Sequence, residues 1–472
     1  MNSFSFLVFA SLLGLQNAPA AAPVVDQPRA VPPRALDPRI NPEKITESDP
    51  PPPPTRIAQP MPPIHRVPLG AASHPAIAAD RLAGGYVAIA KGLEYLRSRQ
   101  AQSGAQSGAQ SGAWLSKGKI APTNEPFAVE PVAIAVTALG LKAFMQMQAD
   151  GAPRDAAAER ALSFLLRAHD GKGDFSGGGL ANYVQASVIS GLASVRDPAS
   201  SEAVRLAVER LQSMQWDEAE GLTPRQDWYG GAGYGRHGRP DLSNTQLMLD
   251  ALHDAGVSPD DPAVQRALSF VSRTQNLRGS NSASWAASGT NDGGFIYTPS
   301  NGGESFASET AGEGRHGELL PEGVARSLRS YGSMTYAGFK SLLYAGLEPD
   351  DPRVRAAFDW IRRNFTFEEN PGLGRQGLYY YYHAMSRALR ASQQTTITPL
   401  PSTAASPDSA SEATPTSPRN WRDELIAALM SRQKPDGSWV NDEARWMEDE
   451  PELTTIYAIL ALQECLKPLG AE

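Results

Sequence analysis

Few side chains in this sequence are grouped in ways that could do chemistry. The densest group is DLSNTQ, residues 241–246, where Asp241, Ser243, Asn244, Thr245 and Gln246 crowd the first turn of an otherwise apolar helix. A carboxyl there can act as a general acid, or it can cap the helix by accepting the free N–H groups of the first turn. Just ahead, WYGGAGYGRHGRP (228–240) supplies Arg236, His237 and Arg239, charges that suit a phosphate or uronate. The stretch 276–330 adds Asp292, Glu304, Glu309, His316 and Glu322, acid or base groups without a diagnostic spacing. VSPDDP (257–262) and LEPDDP (347–352) recur at one place in successive repeats, and Asp before Pro reads as a helix N-cap. The single cysteine, Cys465, excludes an internal disulfide and a multi-cysteine zinc site. No metal or cofactor follows from these residues.

The elements that must position such groups occupy only part of the 472 residues, which include 39 prolines and 42 glycines. An apolar run from Phe4 to Leu15, followed by Ala18-x-Ala20, reads as a signal peptide over residues 1–20, so the mature chain is expected to be periplasmic or extracellular. Residues 21–78, with DPPPPPT and PMPPIHRVP, read as a disordered proline-rich tether. Low-complexity insertions are expected at 101–113 and 391–420 within a folded domain over 79–472. The net charge of −8 is spread thinly and forms no basic stripe, which argues against a nucleic-acid partner. Nothing in the mature chain reads as a transmembrane segment.

Between these segments the sequence repeats. AIAKGLEYLRSRQ, AAERALSFLLRAH, AVRLAVERLQSMQ, AVQRALSFVSRTQ, VRAAFDWIRRNF and LIAALMSRQ all place apolar residues at i, i+3, i+4 and i+7 between charges. Each predicts an amphipathic surface helix. A far more apolar helix follows each one: PVAIAVTALGL, NYVQASVISGL, DLSNTQLMLDAL, YGSMTYAGFKSL, YYYYHAMSRAL and LTTIYAILAL. Helices apolar nearly all round must be buried, so six alternating pairs predict an all-α (α/α)6 toroid, with a linear solenoid as the alternative.

SRQKPDGSW, with Gln433, Gly437 and Trp439, resembles the glutamine–tryptophan repeat of the squalene-hopene cyclase and prenyltransferase family. Gln100, Gly112 and Trp114 form a stretched second copy, and His169, Gly173 and Phe175 a degenerate third. The resemblance spans about 85–466 and implies a terpenoid cyclase-like α/α toroid. Members that cyclise isoprenoids protonate an alkene with the middle aspartate of D-x-D-D-T-A at the start of an inner helix. DLSNTQ aligns there with Asp241 and Thr245 matched, Ser243 in place of the acid and Asn244 in place of the third aspartate. The zinc site of the protein prenyltransferases is likewise unmatched, since Ser243 stands where a cysteine ligand would be.

The first turns of the inner helices should share one surface around the central hollow. Its expected members are Asn182, Gln185, Asp241, Ser243, Gln246, Tyr331, Ser333, Tyr336, His383 and Thr454, with Asp241 the one candidate for catalysis. Tyr183, Tyr379 to Tyr382 and Tyr457 are core or pocket aromatics, and at most one or two of the four consecutive tyrosines can face the hollow. The expected function is binding of an apolar or isoprenoid-like small molecule, or of a protein partner, without the cyclase acid. A divergent cyclase or transferase and a carbohydrate-active (α/α)6 enzyme are the alternatives.

Overall fold

The computed structural model describes residues 45–53, 77–101, 112–114, 131–149, 151–176, 180–235, 238–307, 330–401 and 417–469. The signal segment, most of the first insertion and half of the second lie outside these residues. The outer helices are α1 (Ala79–Arg99), α3 (Ala156–Arg167), α5 (Pro198–Gln212), α7 (Pro262–Arg273), α10 (Pro352–Arg363) and α12 (Trp421–Arg432). The inner helices are α2 (Pro131–Met145), α4 (Ala181–Ala193), α6 (Leu242–Asp254), α9 (Gly332–Tyr344), α11 (Leu378–Ala391) and α13 (Pro451–Leu466). A short α8 (Ser284–Ser288) lies in the long connection after α7, and the described residues form only isolated β-bridges.

Each inner helix packs on the next, and α13 returns to α2 while α12 returns to α1. The ring is therefore closed, and the (α/α)6 toroid replaces the solenoid alternative. Asp261 and Asp351 are N-caps with Pro262 and Pro352 at the first helical turn, each accepting an N–H two residues on. The acidic DDP strings are thus structural.

The corners of the ring are held by one repeated clamp. The side-chain amides of Gln100, Gln215, Gln275 and Gln433 donate to the carbonyls of Gly112, Gly230, Gly293 and Gly437 at 2.9–3.0 Å. The same amides donate to carbonyls of the next outer helix, at Ala157, Ala263, Arg353 and, across the closure, Ala88. At Gly230, with φ of 82°, a Cβ would lie 1.8 Å from the Arg266 carbonyl, so glycine is required. Where His169 replaces glutamine, Gln185 of α4 donates to the Gly173 carbonyl instead.

A threonine on the following inner helix completes the corner. Thr137, Thr245, Thr335 and Thr455 each accept a loop N–H, from Trp114, Ala232, Phe295 and Trp439. Thr245, matched to the cyclase motif, is one of this structural set.

Two stretches expected to be unstructured carry local order. Residues 45–53, assigned to the tether, lie along the outer wall, where Ile45 packs on Trp216, Leu222, Trp228 and Tyr229. At the base of the second insertion Ile397 is fully buried and exchanges backbone hydrogen bonds with Arg419 at 2.8–2.9 Å. In both cases a single apolar side chain with a backbone pairing anchors a sequence whose composition is otherwise that of a linker.

Candidate functional site

In DLSNTQ, Asp241 is the N-cap of α6 and accepts from the Asn244 N–H and its Nδ2, both at 2.8 Å. Burial raises its carboxyl to about 6 despite those bonds. It is thus a weaker acid than an ordinary carboxyl and is committed as an acceptor. Ser243, in the position of the cyclase acid, points to the hollow instead and bonds the Tyr183 hydroxyl.

The hollow at this end is a cavity open to solvent, with about 1060 Å³ of atom-free space when the solvent at its mouth is included. Part of its lining is aliphatic: Val132, Ala135, Val136 and Leu139 of α2, Leu180 and Val184, with Met334 and Leu453. Much of the rest is aromatic and comes from distant elements: Tyr183, Tyr234, Tyr297, Phe306, Tyr331, Tyr380, Trp446 and Tyr457. Tyr183 stacks on Tyr234 at 5.5 Å, Tyr297 lies tilted against Phe306 at 4.4 Å, and Phe306 meets Trp446 edge-on at 6.0 Å. Leu242 N donates to the Tyr297 carbonyl at 2.7 Å, which fixes that loop over the first turn of α6.

Of the ten expected site residues, Ser243, Tyr331 and Ser333 line this cavity. Gln246 lies one layer deeper, donating to the Tyr380 hydroxyl at 3.0 Å. Asn182 donates to the Asn244 carbonyl, Gln185 holds the Gly173 corner, and Thr454 bonds back to the Glu450 carbonyl. Tyr336 packs edge-on against Tyr381, and His383 stacks on Tyr457 at 5.5 Å. Burial, then Arg387 and Lys340, hold that imidazole well below its usual range, hence neutral. Of the four tyrosines only Tyr380 reaches the cavity; Tyr381 and Tyr382 donate to the carbonyls of Thr366 and Phe367.

Asp292 accepts from Ser330 and Gly294 N, and Glu304 pairs with Arg239 at 2.5 Å. Arg236, His237, Glu309, His316 and Glu322 lie outside the described residues.

One acid at the cavity was missed. Glu448 lines it beside Trp446 and Met447, two successive non-glycine residues with φ of 57° and 63°. Such conformations cost of order 1–3 kcal/mol each and persist only where neighbours impose them. Here Glu448 does so: it accepts from Tyr379 N, Tyr380 N and Asn441 Nδ2, capping α11 from another segment. Burial raises this carboxyl to about 7 against those bonds. Folding therefore favours its protonated form, and that stabilisation is complete below about 4.3 and lost as pH rises through about 7. The melting temperature of the wild type should accordingly fall more steeply from pH 5 to pH 8 than that of Glu448→Gln. Parallel profiles would refute this environment.

Beneath the cavity a second buried group fills the ring. Lys142, Asp250, Asp254, Lys340 and Arg387 come from α2, α6, α9 and α11 and form ion pairs at 2.6–2.9 Å. They close the hollow from below. Among the described residues no group of three or more His, Cys, Asp or Glu could hold a metal, and no helix is long and apolar enough to cross a membrane.

Residues 76–296 match the squalene-hopene cyclase C-terminal domain family. No curated protein sequence matches the chain. Among solved structures, the GH76A α-1,6-mannanase of Salegentibacter sp. HEL1_6 is 9% identical with a TM-score of 0.47, over 81% of this chain and 98% of that one. A family 76 glycoside hydrolase from a bovine Bacteroides thetaiotaomicron strain is 9% identical at 0.45, over 80% and 77%. The type II terpene cyclase MstE from Scytonema is 11% identical at 0.30, over 81% and 98%. Residues 76–296 are thus similar to the squalene-hopene cyclase C-terminal domain, within a closed toroid of six helical hairpins.

Proposed function

We propose that the protein is an exported toroid that binds an apolar or isoprenoid-like molecule in its central cavity and does not start a cyclisation by protonation. The observation that carries this reading is the cavity lining, mostly aliphatic and aromatic side chains, whose polar members are tyrosines, three serines and Glu448. Such a surface recovers roughly 25 cal/mol per Å² of apolar ligand area removed from water. A carbohydrate enzyme of the usual kind needs two carboxyl groups facing across a cleft. Among the described residues Glu448 is the one carboxyl group that lines the cavity, and it is occupied in capping α11. Asp241, at about 6 and held by Asn244, supplies no acid strong enough for an isolated alkene.

Mass spectrometry of whatever copurifies with the chain from its own host tests the reading. An apolar molecule should be found, and Ala135→Phe, which places a ring in the cavity, should remove it with little change in melting temperature. Absence of any apolar molecule from the wild type would refute the reading. Purified protein should also give no polycyclic product from squalene. A product abolished by Asp241→Asn would make Asp241 an acid after all.

A further inference from the structure

The outer wall holds an extended segment of its own chain in a built groove. Three carbonyls of that segment face the barrel at a spacing of three residues. Thr46 O accepts from Asp227 N at 3.0 Å, Asp49 O from Ser282 Oγ at 2.8 Å, and Pro52 O from Arg353 Nη1 at 3.0 Å. Three residues is one turn of a polyproline II helix, and Pro50 to Pro53 have no N–H to offer, so their carbonyls are the only backbone groups left for hydrogen bonding.

The first half of the segment is read residue by residue. Ile45 sits on the Trp216, Leu222, Trp228 and Tyr229 cluster. Thr46 donates its N–H and hydroxyl to the two oxygens of Asp227 at 3.2 and 2.9 Å. Glu47 accepts from Gln226 Nε2 at 3.1 Å, the Ser48 N–H donates to the Arg225 carbonyl at 2.9 Å, and its hydroxyl accepts from Arg273. The receptor is set in advance: the buried Arg353 guanidinium is gripped by Asp351 through Nε and Nη2 at 2.9 and 2.8 Å, which aims Nη1 outward at Pro52. Donors fixed by other bonds lose little freedom when a ligand arrives.

We propose that this face is a recognition site for a proline-rich extended peptide opening with Ile-Thr-x-Ser, and that residues 45–53 of the same chain are its resident ligand, bound in cis. The groove matches the two parts of such a peptide separately. Its apolar cluster, Asp227 and Arg273 select the Ile-Thr-x-Ser end, and Ser282 and Arg353 accept any residue that keeps the polyproline turn. A peptide lacking proline pays more ordering entropy for the same carbonyl contacts.

The test uses the full chain with its own segment displaced by Ile45→Asp and Ser48→Pro, which remove the anchor and the Ser48 N–H. A labelled peptide of residues 43–54 is titrated into it and followed by fluorescence anisotropy. The displaced chain should bind at least tenfold more tightly than the wild type, whose tethered segment competes at an effective concentration of about millimolar order. Adding Asp227→Ala should weaken binding at least tenfold. Equal binding to both chains, or none to a displaced chain that melts like the wild type, overturns the proposal. Hydrogen exchange on the unmodified chain gives a second reading: the Ser48 amide should be protected, and exchange at the rate of the free peptide overturns it. A wild-type dimer that dissociates when the segment is displaced would place the ligand in trans and overturn the cis assignment.

Discussion

Arg387→Ala should destabilise the fold by roughly 1–3 kcal/mol, because the buried Asp254 carboxylate then keeps Lys142 but loses the guanidinium donor to its other oxygen. Arg387 Nη2 lies 2.9 Å from Asp254 Oδ1, and Lys142 Nζ lies 2.6 Å from Asp254 Oδ2. Lys340 holds Asp250 at 2.7 Å and Gln246 Oε1 at 2.9 Å, which ties this group to Tyr380 at the cavity wall. Burial alone would raise the Asp254 carboxyl, yet Arg387 and then Lys142 outweigh it and hold the group well below the usual carboxylate range. A depressed carboxyl stabilises the fold above about 3.9, and that contribution is lost as pH falls through the folded value. The variant should therefore also unfold at a higher pH on acid titration. Circular dichroism melts from pH 3 to pH 7 check both effects. The double variant Asp250→Leu/Lys340→Met, which removes both partners of one pair, should lose less than either single change. An Arg387→Ala protein as stable as the wild type would refute the account.

The second large effect concerns ring closure. Trp439 is fully buried, and its Nε1 donates to the Leu429 carbonyl at 2.8 Å. Its ring lies over Gly92 of α1, where a Cβ would come within 2.9 Å of it. The last corner is thereby sealed against the first helix. Trp439→Ala should cost roughly 3–5 kcal/mol, as large-to-small changes of a buried indole do. Because the ring is closed, the loss should lower one cooperative transition rather than release α12 and α13 as a separate early-melting unit. Two transitions in a calorimetric scan would show that the ring behaves as an open array. Gln433→Ala, which frees the Ala88 and Gly437 carbonyls at the same corner, should give a smaller loss of the same kind.

Much of the architecture was legible before any coordinates. A helix period is a property of residues three and four apart, so alternating amphipathic and apolar runs identified all twelve ring helices. The glutamine, glycine and tryptophan spacings marked the corners at Gln100 and Gln433 and a degenerate one at His169, since that part of each corner joins the end of one helix to the loop after it. That Ser243 stands in place of an acid followed from the resemblance of DLSNTQ to the cyclase motif. The buried ions left a faint signal: single charges such as Lys340 and Arg387 inside apolar helices, each of which needed a partner that no local pattern names.

What the tertiary structure alone decided are the relations between distant segments. Closure depends on small rotations accumulated over six hairpins, which no single repeat encodes. The cavity wall joins Tyr234, Phe306 and Trp446 from three separate loops to Tyr380, and the helix rotation that turns Tyr380 inward sends Tyr381 and Tyr382 to carbonyls outside it. Asp241 bends to its own helix while Ser243 faces the hollow, and Glu448 reaches the cavity only because it caps a helix some seventy residues earlier in the chain. The tether of residues 45–53 acquires its order from Asp227, Ser282 and Arg353, donors far from it in sequence. Composition marks such a segment as unable to build a core of its own, but it carries no information about a groove elsewhere that can hold it.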